Sequence, residues 1–81
     1  MEWVEVVEHT DKYVKVNYYP EQSKAIGEYG VVKYFVDSDK WIFEKIVDTY
    51  PASYAMHACN FVRHPYKNGE EIPSGGIVAW H

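Results

Sequence analysis

The chain has 81 residues, of which 47% are hydrophobic and 25% charged, a composition that is typical of a folded globular protein and excludes a disordered one. Twelve Asp and Glu against eight Lys and Arg give a net charge of −4, which argues against a phosphate-backbone partner, because such binding depends on basic side chains. Cys59 is the only cysteine, so an intrachain disulfide is excluded. The length predicts one small domain over residues 1–81.

Two segments near the N-terminus alternate apolar and polar residues with a period of two, which predicts β-strands. They cover residues 3–8 and 13–19, and the residues His9–Lys12 between them predict a turn. One face of the second segment is apolar and consists of Val14, Val16 and Tyr18. The other face is mostly polar but carries Tyr13 and Tyr19, so these two rings are candidates for exposure.

A third strand is predicted at Val31–Val36, after Pro20 and a polar loop, and the turn-prone residues Asp37–Lys40 follow it. The next segment, Trp41–Val47, fits two structures. As a strand it forms a hairpin with the third strand. As a helix it has one apolar face, and Pro51 ends the helix. The periodicity alone favours the helix. That helical face consists of Ile42, Phe43, Ile46, Val47 and Tyr50.

The principal helix is predicted at Ala52–His64, with Pro65 as its end. Residues 66–76 are rich in turn formers, and Ile77–Trp80 is predicted to be an edge strand or a segment docked on the core. The apolar side of the helix consists of Tyr54, Ala55, Ala58, Phe61 and Val62. Together these elements predict an α+β fold in which an antiparallel sheet of three to four strands packs against one helix. The alternative is three strands and two helices.

The sequence contains no pattern of residues that predicts a catalytic, metal or cofactor site. His57 and His64 lie on one side of the predicted helix but about 10 Å apart along its axis, too far to share one metal ion. Cys59 faces away from them, and neither a phosphate-binding glycine loop nor a nucleophile motif is present. We therefore expect a protein without a cofactor that is not an enzyme, with a small enzyme as the least favoured alternative.

Eight Tyr, three Trp and three Phe are more large rings than a core of this size can hold. Because Tyr and Trp concentrate binding energy in protein interfaces, we expect a non-enzymatic interaction module that binds a protein or a second copy of itself. The alternative is single-stranded nucleic-acid binding by an aromatic sheet face, which the acidic charge disfavours. That face would use Tyr13, Tyr19, Trp41 and Phe43.

The rings divide into two predicted groups. Those with plausible core positions are Tyr18, Tyr34, Phe35, Tyr54, Phe61 and Trp80. Those on mixed faces, turns or loops form the candidate interaction surface and are Trp3, Tyr13, Tyr19, Tyr29, Trp41 and Tyr66. The N-terminal residues lack a basic region followed by an apolar stretch, and no apolar run approaches about 20 residues, which predicts a cytoplasmic protein without a membrane partner.

Four short strings follow one another along the chain, at Asn17–Glu21, Gly30–Val32, Tyr54–Ala58 and Gly76–Trp80. In this order they resemble a group of short proteins of Gram-positive bacteria and their prophages, which has no established activity. The resemblance implies strand pairs followed by one principal helix, a fourth strand at residues 41–47, and an origin in a mobile element. It also adds His57, which lies within the recurring helix motif, to the candidate interaction surface.

Overall fold

A computed structural model describes residues 2–20, 28–47 and 53–78 of the chain. In these parts the protein has an α+β fold, as the sequence predicts, although its antiparallel sheet has five strands rather than three or four. The helix α1, Ser53–Lys67, packs on one face of the sheet. The strands are β1 (Glu2–His9), β2 (Tyr13–Tyr19), β3 (Gly30–Phe35), β4 (Lys40–Lys45) and β5 (Gly75–Val78), and their order in the sheet is β4-β3-β2-β1-β5.

The segment that fits both a helix and a strand is strand β4, so the strand implied by the resemblance is correct and the helix favoured by the periodicity is wrong. The periodicity misleads because both faces of β4 carry large apolar side chains. Asp39 precedes the strand with a φ of 54°, a left-handed conformation for which glycine is the usual residue. Aspartate tolerates this conformation better than most residues, which explains how the hairpin turn forms without a glycine.

The helix α1 continues past Pro65 to Lys67, and the prediction that Pro65 ends it is wrong. Pro65 lies within the last turn, where its missing N–H removes only one bond of a helix that is about to end. The helix ends instead at a Schellman motif. The Glu70 N–H donates to the Pro65 carbonyl at 2.8 Å, the Gly69 N–H donates to the Tyr66 carbonyl at 3.2 Å, and Gly69 has a φ of 72°.

The core lies between α1 and one face of the sheet. The predicted apolar faces of β2 and of the helix are both confirmed. Burial of each valine on these faces stabilises the fold by about 1.5–3 kcal/mol. The fully buried apolar side chains among the described residues are Val4, Val14, Val16, Tyr18, Val32, Tyr34, Ala55, Ala58, Cys59 and Val62. Trp80, a predicted core ring, and Ala52, the predicted start of the helix, lie outside the described residues. Within the described parts of the chain, no helix has the length and apolarity that a membrane crossing requires.

A cluster of charged groups joins the β3–β4 turn to α1. The Arg63 guanidinium donates two hydrogen bonds to the Asp39 carboxylate, at 2.9 and 3.1 Å, and the Tyr34 hydroxyl donates a third. The Lys67 Nζ lies 3.6 Å from the same carboxylate. The hydrogen bonds from Arg63 and Tyr34 hold the pKa of the Asp39 carboxyl well below its usual range, while burial and Asp39 raise the pKa of Tyr34 to about 12. The cluster therefore ties the β3–β4 turn to α1.

Candidate functional site

The sheet has a second face, opposite α1, which we call the open face. Along β2, side chains that are fully buried under α1 alternate with side chains that are partly exposed on the open face. Because directly paired residues of neighbouring strands point to the same side, the register extends the open face across all five strands. Among the described residues, no helix packs against it. It carries the rings of Trp3, Tyr13, Tyr19, Tyr29 and Phe35.

The side chains of the open face lie in four rows that run across the strands, each named here after its residue in β2. These are the Tyr19 row (Ile77, Trp3, Tyr19), the Asn17 row (Glu5, Asn17, Val31, Lys45), the Lys15 row (Glu8, Lys15, Lys33, Ile42) and the Tyr13 row (Tyr13, Phe35, Lys40). Aromatic rings therefore lie at both ends of β2, and charged groups lie between them.

A β-bulge at Val7 determines which face receives Glu8. Val6 pairs with Val16 and Glu8 pairs with Lys15, so Val7 is an extra residue in β1. An uninterrupted strand would put Glu8 on the same face as Val6, toward the core. The bulge reverses the alternation and places the Glu8 carboxylate on the open face, where its hydrogen bond with the Tyr13 hydroxyl raises the pKa of Tyr13.

The rings of the open face contact one another in two pairs. The ring centroids of Tyr13 and Phe35 are 6.0 Å apart, and those of Tyr19 and Tyr29 are 5.6 Å apart. Both separations fall within the range in which aromatic rings attract each other. Since Tyr13 and Tyr19 are six residues apart on β2, the two pairs lie about 20 Å apart.

Two lysines extend over these rings. The Lys33 Nζ lies 4.3 Å from the centroid of the Tyr13 ring and 5.9 Å from that of Phe35, and the Lys45 Nζ lies 4.8 Å from that of Tyr29. These are cation–π distances, worth about 0.5–1 kcal/mol each at an exposed site. The contacts favour the rotamers in which the lysines lie over the rings.

Glu44 places a carboxylate between two lysines at a second bulge, in β4. Its oxygens lie 3.3 Å from the Lys15 Nζ and 3.5 Å from the Lys33 Nζ, and the hydrogen bond from Lys15 is the main reason that the pKa of Glu44 is lowered. The described charges of the open face are therefore nearly balanced. The positive groups are Lys15, Lys33, Lys40 and Lys45, and the negative groups are Glu5, Glu8 and Glu44.

The structure brings four of the seven candidate interaction residues together on the open face, namely Trp3, Tyr13, Tyr19 and Tyr29. The other three lie elsewhere. Trp41 packs against the core on the α1 side, with its ring centroid 6.2 Å from that of Tyr34, and Phe43 lies on the same side. Tyr66, 6.3 Å from the same ring, and the partly exposed His57 belong to α1. The alternative of nucleic-acid binding places Tyr13, Tyr19, Trp41 and Phe43 on one face of the sheet, and this placement is wrong for Trp41 and Phe43.

Phe35 is the ring that the sequence misplaces in the opposite direction. It is predicted to lie in the core, but it pairs with Tyr13 on the open face. The confusion arises because β3 is apolar on both faces, with Val32 and Tyr34 toward α1 and Val31 beside Phe35 on the other side. One residue in the sequence does indicate the exposure of Phe35. Lys33 lies two residues before it and therefore on the same face of the strand, and a lysine is typical of a solvent-exposed face.

Among the described residues, the side chains with reactive groups do not converge. Cys59 is fully buried, and burial together with the charge of Glu2 raises the pKa of its thiol to about 12, so the sulfur is protonated at neutral pH. Within the described ranges, no group of three or more His, Cys, Asp or Glu side chains has a geometry that could hold a metal ion.

Comparison with protein-family models, with curated proteins and with solved structures finds no match for this chain. The resemblance to short proteins of Gram-positive bacteria and their prophages therefore stays a prediction. A function for the chain has to be inferred from the chemistry of the open face.

Proposed function

We propose that the protein is a non-enzymatic interaction module and that the open face is the surface with which it binds another protein. The observation that carries this proposal is the grouping of five rings on a sheet face that no described helix covers. Large rings bury about 150–250 Å² each and have few rotatable bonds, so they bring much contact area into an interface at a low cost in conformational entropy.

Two further properties of the open face support a protein partner. The ring pairs and the lysines above them already contact one another within one chain, which reduces the entropy lost on binding. The near balance of lysines and glutamates suits a partner that carries both signs of charge, as protein surfaces do. Apolar side chains at the two edges of the face extend the contact area, with Ile42 54% exposed and Ile77 59% exposed.

The test compares two variants in one capture experiment. Tyr19→Ala combined with Tyr29→Ala removes one ring pair from the open face, whereas Tyr66→Ala removes a 41% exposed ring from the helix side and is the matched control. The proteins, immobilised at equal density after their folding is verified by circular dichroism, are exposed to lysate of the source cell, and bound proteins are quantified by mass spectrometry. We expect a set of proteins that the parent and the control retain and the double variant loses. Equal retention by all three would refute the proposal.

A second candidate function is binding of single-stranded nucleic acid, and a specific observation favours it. Lys33 and Lys45 lie directly over rings, and rings with interleaved cations are the usual surface for stacking bases beside a phosphate backbone. Glu44 weighs against it, because this carboxylate already pairs with Lys15 and Lys33 and would repel phosphates.

Tryptophan fluorescence tests this second candidate, because Trp3 belongs to the open face. Titration with a single-stranded oligonucleotide at low salt should quench the emission if bases stack there. The quenching should weaken with salt and be lost in Lys33→Gln. An unchanged emission at low salt would exclude stacking on this face.

A further inference from the structure

We infer that the partner of the open face is a second copy of this chain, packed face to face about a two-fold axis that runs along β2. This inference rests on the proposed function, because it names the protein that the open face binds. Three properties of the described residues lead to it: the size of the face, the placement of its charges and the rows into which its side chains fall.

The size of the face suits a weak dimer. Five strands about 4.8 Å apart and seven residues of β2 give a surface of about 20 Å by 20 Å. Two such faces amount to about 800 Å² of flat area in total, which is smaller than a standard protein interface and places the contact among the weak, transient ones. Such a dimer should form only at high protein concentration.

The charges determine how the two sheets lie on each other. The acidic groups Glu5 and Glu8 are on β1, whereas β3 and β4 carry three lysines and the one carboxylate of Glu44, so the two sides of the face differ in net sign. A two-fold axis across the strands would place β1 over β1 and oppose like charges. An axis along β2 places β1 of one copy over β3 of the other and opposes unlike charges there, in the aligned packing that sheet pairs prefer. On the axis itself Lys15 meets Lys15 of the other copy, and each of these lysines is already paired with Glu44 of its own chain.

The rows then specify the contacts. A rotation about an axis along β2 keeps each side chain in its own row, so Glu8 of one copy lies over Lys33 of the other in the Lys15 row. At the Tyr19 row, Trp3 of one copy lies over the β3 side of the other copy, where the Tyr29 ring packs against Tyr19. Each contact occurs twice, once on either side of the axis, as in every isologous interface.

Charge reversal tests this register directly. Glu8→Lys gives a chain with two lysines at the paired positions, and Lys33→Glu gives a chain with two glutamates. Each variant alone opposes like charges in both copies of the contact, so its dimer should dissociate at least tenfold more readily than the parent dimer. In an equimolar mixture of the two variants, every Glu8–Lys33 contact joins opposite charges again, and a heterodimer should form with the affinity of the parent.

Sedimentation equilibrium over concentrations of about 1 µM to 1 mM measures all four samples, and circular dichroism verifies that each variant is folded. Each chain of the mixture keeps its reversed charge, so contacts within one chain are not restored. Rescue in the mixture can therefore come only from a contact between the two chains, which is what the inference requires. A parent that remains monomeric at about 1 mM overturns the inference, and so does a mixture that remains monomeric while the parent dimerises.

The outcomes separate this inference from the proposed function. If the parent is monomeric but loses captured proteins when Tyr19 and Tyr29 are replaced, the open face binds a different protein and only the inference fails. If the parent is monomeric and an oligonucleotide quenches Trp3, both the inference and the protein-binding function fail in favour of nucleic acid.

Discussion

Gly30 has no room for a side chain, and the substitution Gly30→Ala should therefore be strongly destabilising. A Cβ at this position would lie 2.1 Å from Cε1 and Cζ of the Tyr18 ring, which faces Gly30 across β2 and β3. Carbon atoms in contact are normally about 3.5–4.0 Å apart, so the ring or the strand would have to move by about 1.5 Å. The ring is fully buried, and its hydroxyl accepts a hydrogen bond from the Val47 N–H at 3.2 Å, so it cannot retreat without breaking that bond.

The magnitude follows from these contacts. Overpacking a core costs about 1–3 kcal/mol, and a broken hydrogen bond adds about 1 kcal/mol, so we expect Gly30→Ala to lower the free energy of unfolding by about 3 kcal/mol. For a domain of this size that corresponds to a fall in Tm of about 12–24 °C. Thermal and urea unfolding followed by circular dichroism measure both quantities. Gly76→Ala is the matched control, because its Cβ would lie 3.5 Å from the Phe61 ring, an ordinary contact, and its stability should not fall.

A double-mutant cycle identifies the Tyr18 ring as the cause. In a Tyr18→Leu background the ring is absent, and the cost of Gly30→Ala should fall below about 1 kcal/mol, because an alanine within a strand is otherwise preferable to a glycine. A loss of about 3 kcal/mol in both backgrounds would refute the reasoning. The cost would then come from the backbone of β3 rather than from the ring.

Two other properties of the described residues give predictions. The pKa of Asp39 is held low by Arg63 and Tyr34, so its stabilising contribution is complete above about pH 4 and is lost as the pH falls through the folded-state pKa. The matched variant is Asp39→Asn, because asparagine tolerates the φ of 54°. It should lower the urea midpoint of unfolding at pH 7, and the difference from the parent midpoint should narrow toward pH 2. A difference that stays constant with pH would contradict this. Cys59 is fully buried with its thiol pKa raised to about 12, so iodoacetamide at pH 8 should alkylate it only in unfolding concentrations of urea, as mass spectrometry would show, and fast labelling of the native protein would contradict its burial.

The parts of the fold that could be predicted are those in which apolar residues occupy one face only. In β2, Val14, Val16 and Tyr18 alternate with polar residues, and the alternation identifies both the core face and the exposure of Tyr13 and Tyr19. The face of a strand toward the core is ambiguous when both faces are apolar. This ambiguity explains why Phe35 in β3 and Trp41 in β4 are each assigned to the wrong side of the sheet.

The position of Glu8 on the open face could not be predicted from the sequence, for a different reason. A strict period of two along β1 assigns Glu8 to the face of Val4 and Val6, and the bulge at Val7 reverses that assignment. A bulge depends on how β1 pairs with β2 and leaves no clear trace in the sequence of one strand. The contact between Glu8 and Tyr13, and the charge contrast between β1 and β3, therefore become visible only in the folded register.

The same register changes what the net charge of −4 implies about a partner. Net charge is a property of the whole chain, whereas a partner contacts the charges of one face. On the open face Glu44 lies between Lys15 and Lys33, whereas Glu5 lies at the other end of the Asn17 row from Lys45, about 14 Å away across three strand spacings. A polyphosphate that contacted Lys15 and Lys33 would also meet the Glu44 carboxylate, which weighs against such a partner. The second copy that we propose would instead bring Glu5 and Glu8 of its β1 over the lysine-bearing side of the face.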